Sequence, residues 1–326
     1  MNLRCLLVLA FAGACGIVPL SGRAADPLRL ENAIARALAS NPTIAAEQAQ
    51  LQAVQAKAQR EALPTPYTVG GELDNIVGTG ALSGFTSAET TLRIGRVLEL
   101  GGKRQARQAL GAAEVSQQQN QADAARIQIA SRTAARFIEV VAGQRRLAYA
   151  QERVTQAERT RREVAAWVAA ARNPESDLRA AEIAVAEAEL DRQHAEHELL
   201  SARMTLASSW GSFEPDFETA VGAFDALPAI EPFERLVARL ATTPEQRANL
   251  LEAETIAARR RVAQAAAKPD LNVSLGVRRL EALDDQGLVL SVSMPLGSRV
   301  RSAYSVTEAD AQLAALHLRR DAQRFE

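Results

Sequence analysis

Few side chains in this sequence have the types and spacing that coordination chemistry requires. His194 and His197 lie three residues apart in a helical stretch, with Glu198 beside them. Residues at positions i and i+3 of a helix can face one metal ion, but a transition-metal site generally needs a third or fourth ligand held close. The stretch is polar throughout, which is typical of a solvated helix face. We therefore predict no metal site and no cofactor here.

Catalytic chemistry has no better candidate. The run Gly101-Gly102-Lys103-Arg104 lacks the upstream glycine and the following Ser or Thr of a phosphate-binding loop. Its glycines instead allow a strand to turn into a helix. No nucleophile with a base and no metal triad can be assembled, so we predict that the chain is not an enzyme. The strand-to-helix junction that we single out comprises Glu99, Leu100, Gly101, Gly102, Lys103 and Arg104.

The first residues predict export from the cytoplasm. Arg4 precedes an almost wholly apolar stretch, Cys5–Val18, and small residues follow before Asp26. This order is typical of a secretory signal peptide, assigned here to residues 1–24, and the stretch is shorter than the about 20 residues of a spanning helix. Both cysteines lie within it. An alternative is that Ala12-Gly13-Ala14-Cys15 directs lipidation of Cys15, which would add a membrane anchor.

Composition favours long helices over one compact core. The formal net charge is −1, so no broad basic field indicates a nucleic-acid partner. Aromatic residues make up only 4% of the 326 residues, and the apolar fraction comes largely from alanine. Alanine is the best helix former and lets helices approach closely. The sequence therefore predicts helices packed side by side.

One pattern occurs twice along the chain. Each copy has an Ala-rich helix, a proline stop, a strand, a polar turn, a second strand and a new helix, and Asn41-Pro42 in one copy aligns with Thr243-Pro244 in the other. Such an internal duplication identifies the repeating structural unit. We predict a first repeat over 25–232 and a second, incomplete repeat over 233–326.

Helix lengths predict how the first repeat packs. The stretch from Gln105 to Arg172 contains no proline, and Ile127, Ala130, Ala134, Phe137 and Val141 form an apolar seam at 3-4 spacing. At 1.5 Å per residue this helix is about 100 Å long, whereas the first helix (28–62) and the return helix (177–209) are each about 50 Å. We expect the two shorter helices to stack end to end along the long one. The turn between the long and return helices consists of Arg172, Asn173, Pro174, Glu175, Ser176 and Asp177.

Two predicted hairpins, over 67–98 and 271–294, alternate apolar and polar residues. Their predicted strands are Tyr67–Val77, Glu89–Leu98, Leu271–Leu280 and Gly287–Met294. Leu288, Leu290 and Val292 alternate with Val289, Ser291 and Ser293, for example. Each strand has about the 9–11 residues of a tilted membrane-spanning strand, with lipid outside and water inside. A half-buried sheet of a soluble protein gives the same alternation. Four strands cannot close a barrel and open edges are not tolerated in lipid, so a membrane barrel requires several chains.

Two short strings carry a family resemblance. Leu98-Glu99-Leu100-Gly101-Gly102-Lys103-Arg104 follows the second strand, and Met294-Pro295-Leu296 follows the fourth. With the duplication, they make the chain resemble the outer membrane factor (TolC) family. The first string is similar to that of the heavy-metal efflux, CzcC-like branch.

The resemblance implies a mainly α protein with β structure, built as a long antiparallel helical tunnel bundle with two membrane hairpins. Three chains would supply twelve strands to one barrel in the outer membrane, and the helices would extend into the periplasm. The turn at Arg172–Asp177 would be a tip loop that meets a periplasmic adaptor and an inner-membrane pump of the resistance-nodulation-division type. Residues 211–232 would form an equatorial segment around the tunnel.

The expected function is therefore passive export of heavy-metal cations or other small toxic solutes through an outer-membrane channel. The alternative is a periplasmic adaptor, which also combines long helices with β structure.

The sequence departs from the family at Gly297-Ser298-Arg299, where a second proline and an aromatic residue are usual. By comparison with the first repeat, about 40 further residues would finish the last helix and about 35 would return. The chain is thus expected to be truncated at its C-terminal end.

Overall fold

Long helices and one antiparallel sheet account for most of the chain. The computed structural model describes residues 27–82, 84–222, 230–240 and 243–323. The predicted signal peptide, including Cys15, lies outside them. In chain order the elements are β1 (Leu28–Arg29), α1 (Leu30–Ser40), α2 (Pro42–Glu61), β2 (Tyr67–Asp74), β3 (Glu89–Leu98), α3 (Lys103–Ala169), α4 (Glu175–Ala207), β4 (Ala220–Val221), α5 (Phe233–Leu240), α6 (Pro244–Ala265), β5 (Leu271–Leu280), β6 (Asp285–Ser293) and α7 (Ser298–Gln323). No helix in these ranges is both long and apolar enough to span a membrane.

Helix α3 is the axis on which the other helices pack. Its 67 residues make it about 100 Å long. It lies against α4, and also against α1, α2 and α6. A single helical turn after α4 brings Ser209 to the start of α2, where the Asn41 side-chain amide donates to the Ser209 carbonyl at 2.7 Å. The predicted end-to-end stacking therefore applies only to α4 and α2, which meet at Ser209 and Asn41. The N-terminal part of the predicted helix instead lies beside the end of α4, since Ala33 shares a buried cluster with Leu199 and Leu206.

The prediction of one continuous helix over 28–62 is wrong, because the chain breaks at Asn41-Pro42. A residue before proline is disfavoured in the α conformation, and Asn41 is extended at φ −68° and ψ 125°. Its side-chain oxygen accepts from the Thr43 amide at 2.9 Å and caps α2. The second repeat has the same break, where Thr243 precedes Pro244 and caps α6.

Several other predicted boundaries shift. The first strand ends at Asp74 rather than Val77, because Asn75 turns the chain with a positive φ of 57°. The fourth strand is Asp285–Ser293. The return helix begins at Glu175 and not at the predicted residue 177, with Pro174 at its N-cap, so Ser176 and Asp177 lie inside its first turn.

The apolar seam of α3 is displaced from the predicted one. Phe137 and Val141 are buried as expected, but Ile127 is 57% exposed and Ile129 takes its place in the interior. Long helices that contact different neighbours along their length do not keep one strict seam, because each neighbour defines its own buried face.

A small parallel sheet that the sequence did not predict holds residues 212–222 against the bundle. β1 pairs with β4, and Leu28, Phe137 and Ala220 share one buried cluster. The side chain of Gln144 on α3 makes two hydrogen bonds to the backbone of Ala220, as a neighbouring strand would. Its amide donates to the Ala220 carbonyl at 2.9 Å and its oxygen accepts from the Ala220 amide at 2.8 Å. This pairing fixes the segment near the middle of α3.

Candidate functional site

The four longer strands form one antiparallel sheet in the order β2-β3-β5-β6. The two hairpins are therefore neighbours, joined where β3 pairs with β5. In an antiparallel sheet, directly paired residues point to the same face. The register consequently decides which side chains of the two repeats come together.

The register gathers the aliphatic side chains of both hairpins on one face. Ile94 pairs with Val69 and Leu275, and Leu275 pairs with Leu290. The next row contains Gly71, Leu92, Val277 and Leu288. The seven large side chains of these two rows are between 47% and 80% exposed in the single chain. A continuous aliphatic surface of this kind is suited to contact with lipid.

The opposite face is polar and largely made of small side chains. One row contains Thr68, Gly95, Ser274 and Ser291. Nearer the hairpin turns, Arg93 pairs with Glu72 at 2.8 Å, and Arg278 pairs with Glu89 at 2.9 Å and donates to the Thr91 hydroxyl at 3.0 Å. This face can line a water-filled passage, because its charges are paired and its small residues leave space.

Gly276 allows Arg93 to lie across the polar face. A Cβ atom at Gly276 would lie 2.6 Å from the Leu92 carbonyl oxygen and 2.9 Å from the Arg93 Cβ. Any larger residue would therefore push β5 away from β3.

The predicted junction Glu99–Arg104 connects β3 to α3 and fastens the end of α2. Gly101 and Gly102 both adopt positive φ, at 82° and 73°. Arg104 Nε donates to the Ala62 carbonyl at 2.7 Å and Arg107 Nε donates to the Glu61 carbonyl at 2.9 Å. Cations that bind the last carbonyls of a helix also interact favourably with its dipole.

Arg107 is held by Glu99 in a two-pronged pair. Its terminal nitrogens lie 2.6 and 3.0 Å from the two Glu99 carboxylate oxygens. This hydrogen bonding raises the pKa of Arg107 above its ordinary value, partly offset by desolvation. Arg107 thus stays charged at every pH at which the protein functions.

Lys103 reaches from the junction into the second repeat. Its ammonium lies 2.7 Å from Asp270 Oδ1, and the Leu100 amide donates to the same oxygen at 3.3 Å. Both side chains are largely shielded, at 16% and 28% exposure. The sequence did not point to Asp270, because it lies 167 residues from Lys103 in the chain and no local pattern marks it.

The tip loop is a tight turn between α3 and α4. Ala171 has a positive φ of 53°, and the Arg172 amide donates to the Trp167 carbonyl at 2.9 Å. Asn173 Nδ2 donates to Asp177 Oδ2 at 2.8 Å, which ties the loop to the first turn of α4. The structure thus brings the predicted tip residues together in the turn at one end of the helical hairpin. The Glu99–Arg104 junction lies at the opposite end of α3.

The two histidines of α4 lie on its surface. His194 Nε2 is 3.1 Å from Glu198 Oε1, and the His194 side chain is 76% exposed. In the part of the chain that the structure describes, no three His, Cys, Asp or Glu residues gather in a group that could hold a metal ion.

Outer-membrane efflux channels have a fold of this kind. A helical wall continues into a sheet that is aliphatic on one face and polar on the other. No family model matches the sequence. The chain is 32% identical over 284 residues to the cobalt-zinc-cadmium resistance protein CzcC of Cupriavidus metallidurans, an alignment that covers 86% of this chain and 66% of CzcC. The chain thus spans just under two thirds of the length of that relative.

Solved structures share the fold. A membrane protein from Pseudomonas aeruginosa superposes with a TM-score of 0.72 at 16% identity, over 88% of this chain and 71% of that one. The outer membrane protein VceC from Vibrio cholerae superposes with a TM-score of 0.70 at 16% identity, over 90% and 75%. The chain belongs to the outer membrane factor (TolC) family, and its predicted class, mainly α with β, is confirmed.

Proposed function

We propose that this chain forms one third of an outer-membrane exit duct for a tripartite efflux pump. The observation that carries the proposal is the register of the sheet. It places the exposed aliphatic side chains of all four strands on one face and a row of small polar side chains, Thr68, Ser274 and Ser291, on the other. Strands β2 and β6 are the edges of this sheet. Because unpaired edges are not tolerated in lipid, three copies joined edge to edge would give a closed barrel of twelve strands.

The proposed cargo is heavy-metal cations or other small toxic solutes. The name of the relative CzcC, a cobalt-zinc-cadmium resistance protein, supports this class. The polar face offers paired charges and hydroxyl groups rather than a fixed coordination site. Passage would therefore be passive, and the choice of cargo would lie mainly with the inner-membrane pump.

The tip loop Arg172–Asp177 is the proposed contact for a periplasmic adaptor and, through it, for a resistance-nodulation-division pump. Residues 211–232 would form the equatorial belt. Within its described residues, 211–222 and 230–232, Ala220 is held to α3 through Gln144. The alternative function, a periplasmic adaptor, is not favoured, since it leaves the exposed aliphatic face of the sheet unexplained.

Conductance in a planar lipid bilayer tests the proposal. We expect the purified full-length protein to insert as a trimer and to give discrete single-channel steps. Chemical cross-linking before and after insertion would report the number of subunits. A protein that remains monomeric and water-soluble, with no conductance steps, would contradict the proposal.

A further inference from the structure

A hollow lined by both polar and apolar side chains lies where the sheet meets the helices. It has a volume of about 590 Å³ and lies between the chain before β2, the end of β3 and the first turns of α3. Its lining includes Pro64, Thr65, Arg96, Arg104, Gln105 and Gln108. Of these side chains, only Arg104 has a role in the junction described above, through its bond to the Ala62 carbonyl.

Arg96 is a cation on the aliphatic face of the sheet. It shares a row with Tyr67, Val273 and Val292. Its Nε donates to the Thr65 carbonyl at 3.0 Å, and its guanidinium lies 4.8 Å from the centre of the Tyr67 ring. A charge among lipid chains is costly unless its head reaches the membrane surface. Both contacts draw the Arg96 head towards the helix end of the sheet, where that surface lies under the proposed function.

Arg104 supplies a second cation to the hollow. Its Nε is occupied by the Ala62 carbonyl at 2.7 Å, and its terminal nitrogens have no carboxylate partner within the described ranges. Glu99, the one carboxylate among the described lining residues, is held by Arg107 at 2.6 Å. The hollow is therefore positively charged, and its glutamine side chains add neutral hydrogen-bond donors.

We propose that this hollow binds the phosphate group of a phospholipid in the periplasmic leaflet of the outer membrane, with the acyl chains against the aliphatic rows. The proposal rests on the proposed function, since it requires the aliphatic face to contact lipid. The terminal nitrogens of a guanidinium group can donate to the oxygens of a phosphate diester, and the single negative charge of the diester is attracted to the cationic hollow. Tyr67 beside Arg96 fits the preference of tyrosine for the membrane–water interface.

The test measures phospholipid that remains bound to the full-length protein. The protein is mixed with palmitoyl-oleoyl phosphatidylglycerol in detergent, and bound lipid is counted by native mass spectrometry. We expect Arg96→Gln with Arg104→Gln to reduce the bound fraction by about fivefold or more, because charge-assisted bonds to phosphate are lost. The matched control is Arg126→Gln with Arg132→Gln, which removes the same charge from exposed positions on α3 and should leave lipid binding unchanged.

Three outcomes overturn the proposal: unchanged lipid binding in the double variant, an equal loss in the control, or complete displacement by excess inorganic phosphate, which would indicate a site for a free anion. Arg104→Gln alone is the fallback if the double variant does not fold, as judged by circular dichroism.

Single-channel conductance of the same variants distinguishes this proposal from the proposed function. A channel that conducts but binds no lipid contradicts only this inference, whereas a protein without conductance contradicts the proposed function.

Discussion

Gly101 and Gly102 show how two identical residues in one turn differ in what they require. Both have a positive φ, a conformation that side chains with a Cβ adopt at a cost. Only Gly101 is also crowded: a Cβ there would lie 2.9 Å from Lys268 Cδ and 3.1 Å from the Ala265 carbonyl oxygen. At Gly102 the nearest atom is Gln105 Oε1 at 3.4 Å. The first glycine thus serves both the turn and the approach of α6.

Replacing the two glycines separates these effects. We expect Gly102→Ala to cost about 1–2 kcal/mol through its backbone conformation alone. Gly101→Ala should cost about 1–3 kcal/mol more, because the added methyl group overpacks against the end of α6. The measurement is the midpoint of heat-induced unfolding of the protein in detergent. Gly287→Ala, which meets no atom within 4 Å, is the control, and equal losses at 101 and 102 would disprove the crowding.

At the scale of elements, the structure depends on contacts that join the two repeats. The β3–β5 pairing unites the hairpins, and α3 packs on α6 below them. Lys103 and Asp270 lie where these two contacts meet, so one ion pair secures both the sheet and the helices. Partial burial makes such a pair sensitive to the loss of one partner, which leaves a charge uncompensated.

A double-mutant cycle on Lys103→Met and Asp270→Asn measures this coupling. We expect each single change to cost about 1.5–3 kcal/mol, since each removes a hydrogen bond to a charged group. The double variant should cost less than the sum, because the second change removes a charge already left unpaired. The same cycle on Arg153 and Asp191, an exposed pair 65% and 54% accessible, should give a coupling of only about 0.2–1 kcal/mol. Additive losses at Lys103 and Asp270 would show that the ion pair does not couple the repeats.

At the scale of the whole molecule, the two faces of the sheet meet different solvents. Ser274 pairs with Ser291 on the polar face, and Leu275 pairs with Leu290 on the aliphatic face. Adjacent residues of one strand would thus contact water and lipid respectively. The aliphatic rows and the row of small polar residues each cross all four strands, which is what a closed barrel of several chains needs.

Single cysteines can map these faces in proteoliposomes. Ser274→Cys and Ser291→Cys are expected to react with a charged, membrane-impermeant maleimide, because they would line a water-filled lumen. Leu275→Cys and Leu290→Cys should remain unmodified until detergent is added, since lipid would cover them. Native thiols do not interfere once the segment with Cys5 and Cys15 is removed. Labelling of all four positions at similar rates would contradict the assignment of the faces.

Local patterns predicted the elements best where neighbours in the chain decide the conformation. Strands β3 and β5 have the predicted bounds, and β5 begins directly after Pro269-Asp270, which cannot continue the preceding helix. The break at Asn41-Pro42 was present in the sequence but was interpreted as part of one helix. The capping of α2 by Asn41, together with its bond to Ser209, turns that proline into a true helix boundary.

The sequence by itself determined the alternation of each strand, the length of the long helix and the likeness of the two repeats, since these depend on residues close together in the chain. Only the tertiary structure decided that the aliphatic residues of both hairpins share one face, that Asp270 receives Lys103, and that Gln144 holds Ala220. These features depend on strand register and on contacts between residues far apart in the sequence. No local pattern encodes them, because they are set by how complete elements pack.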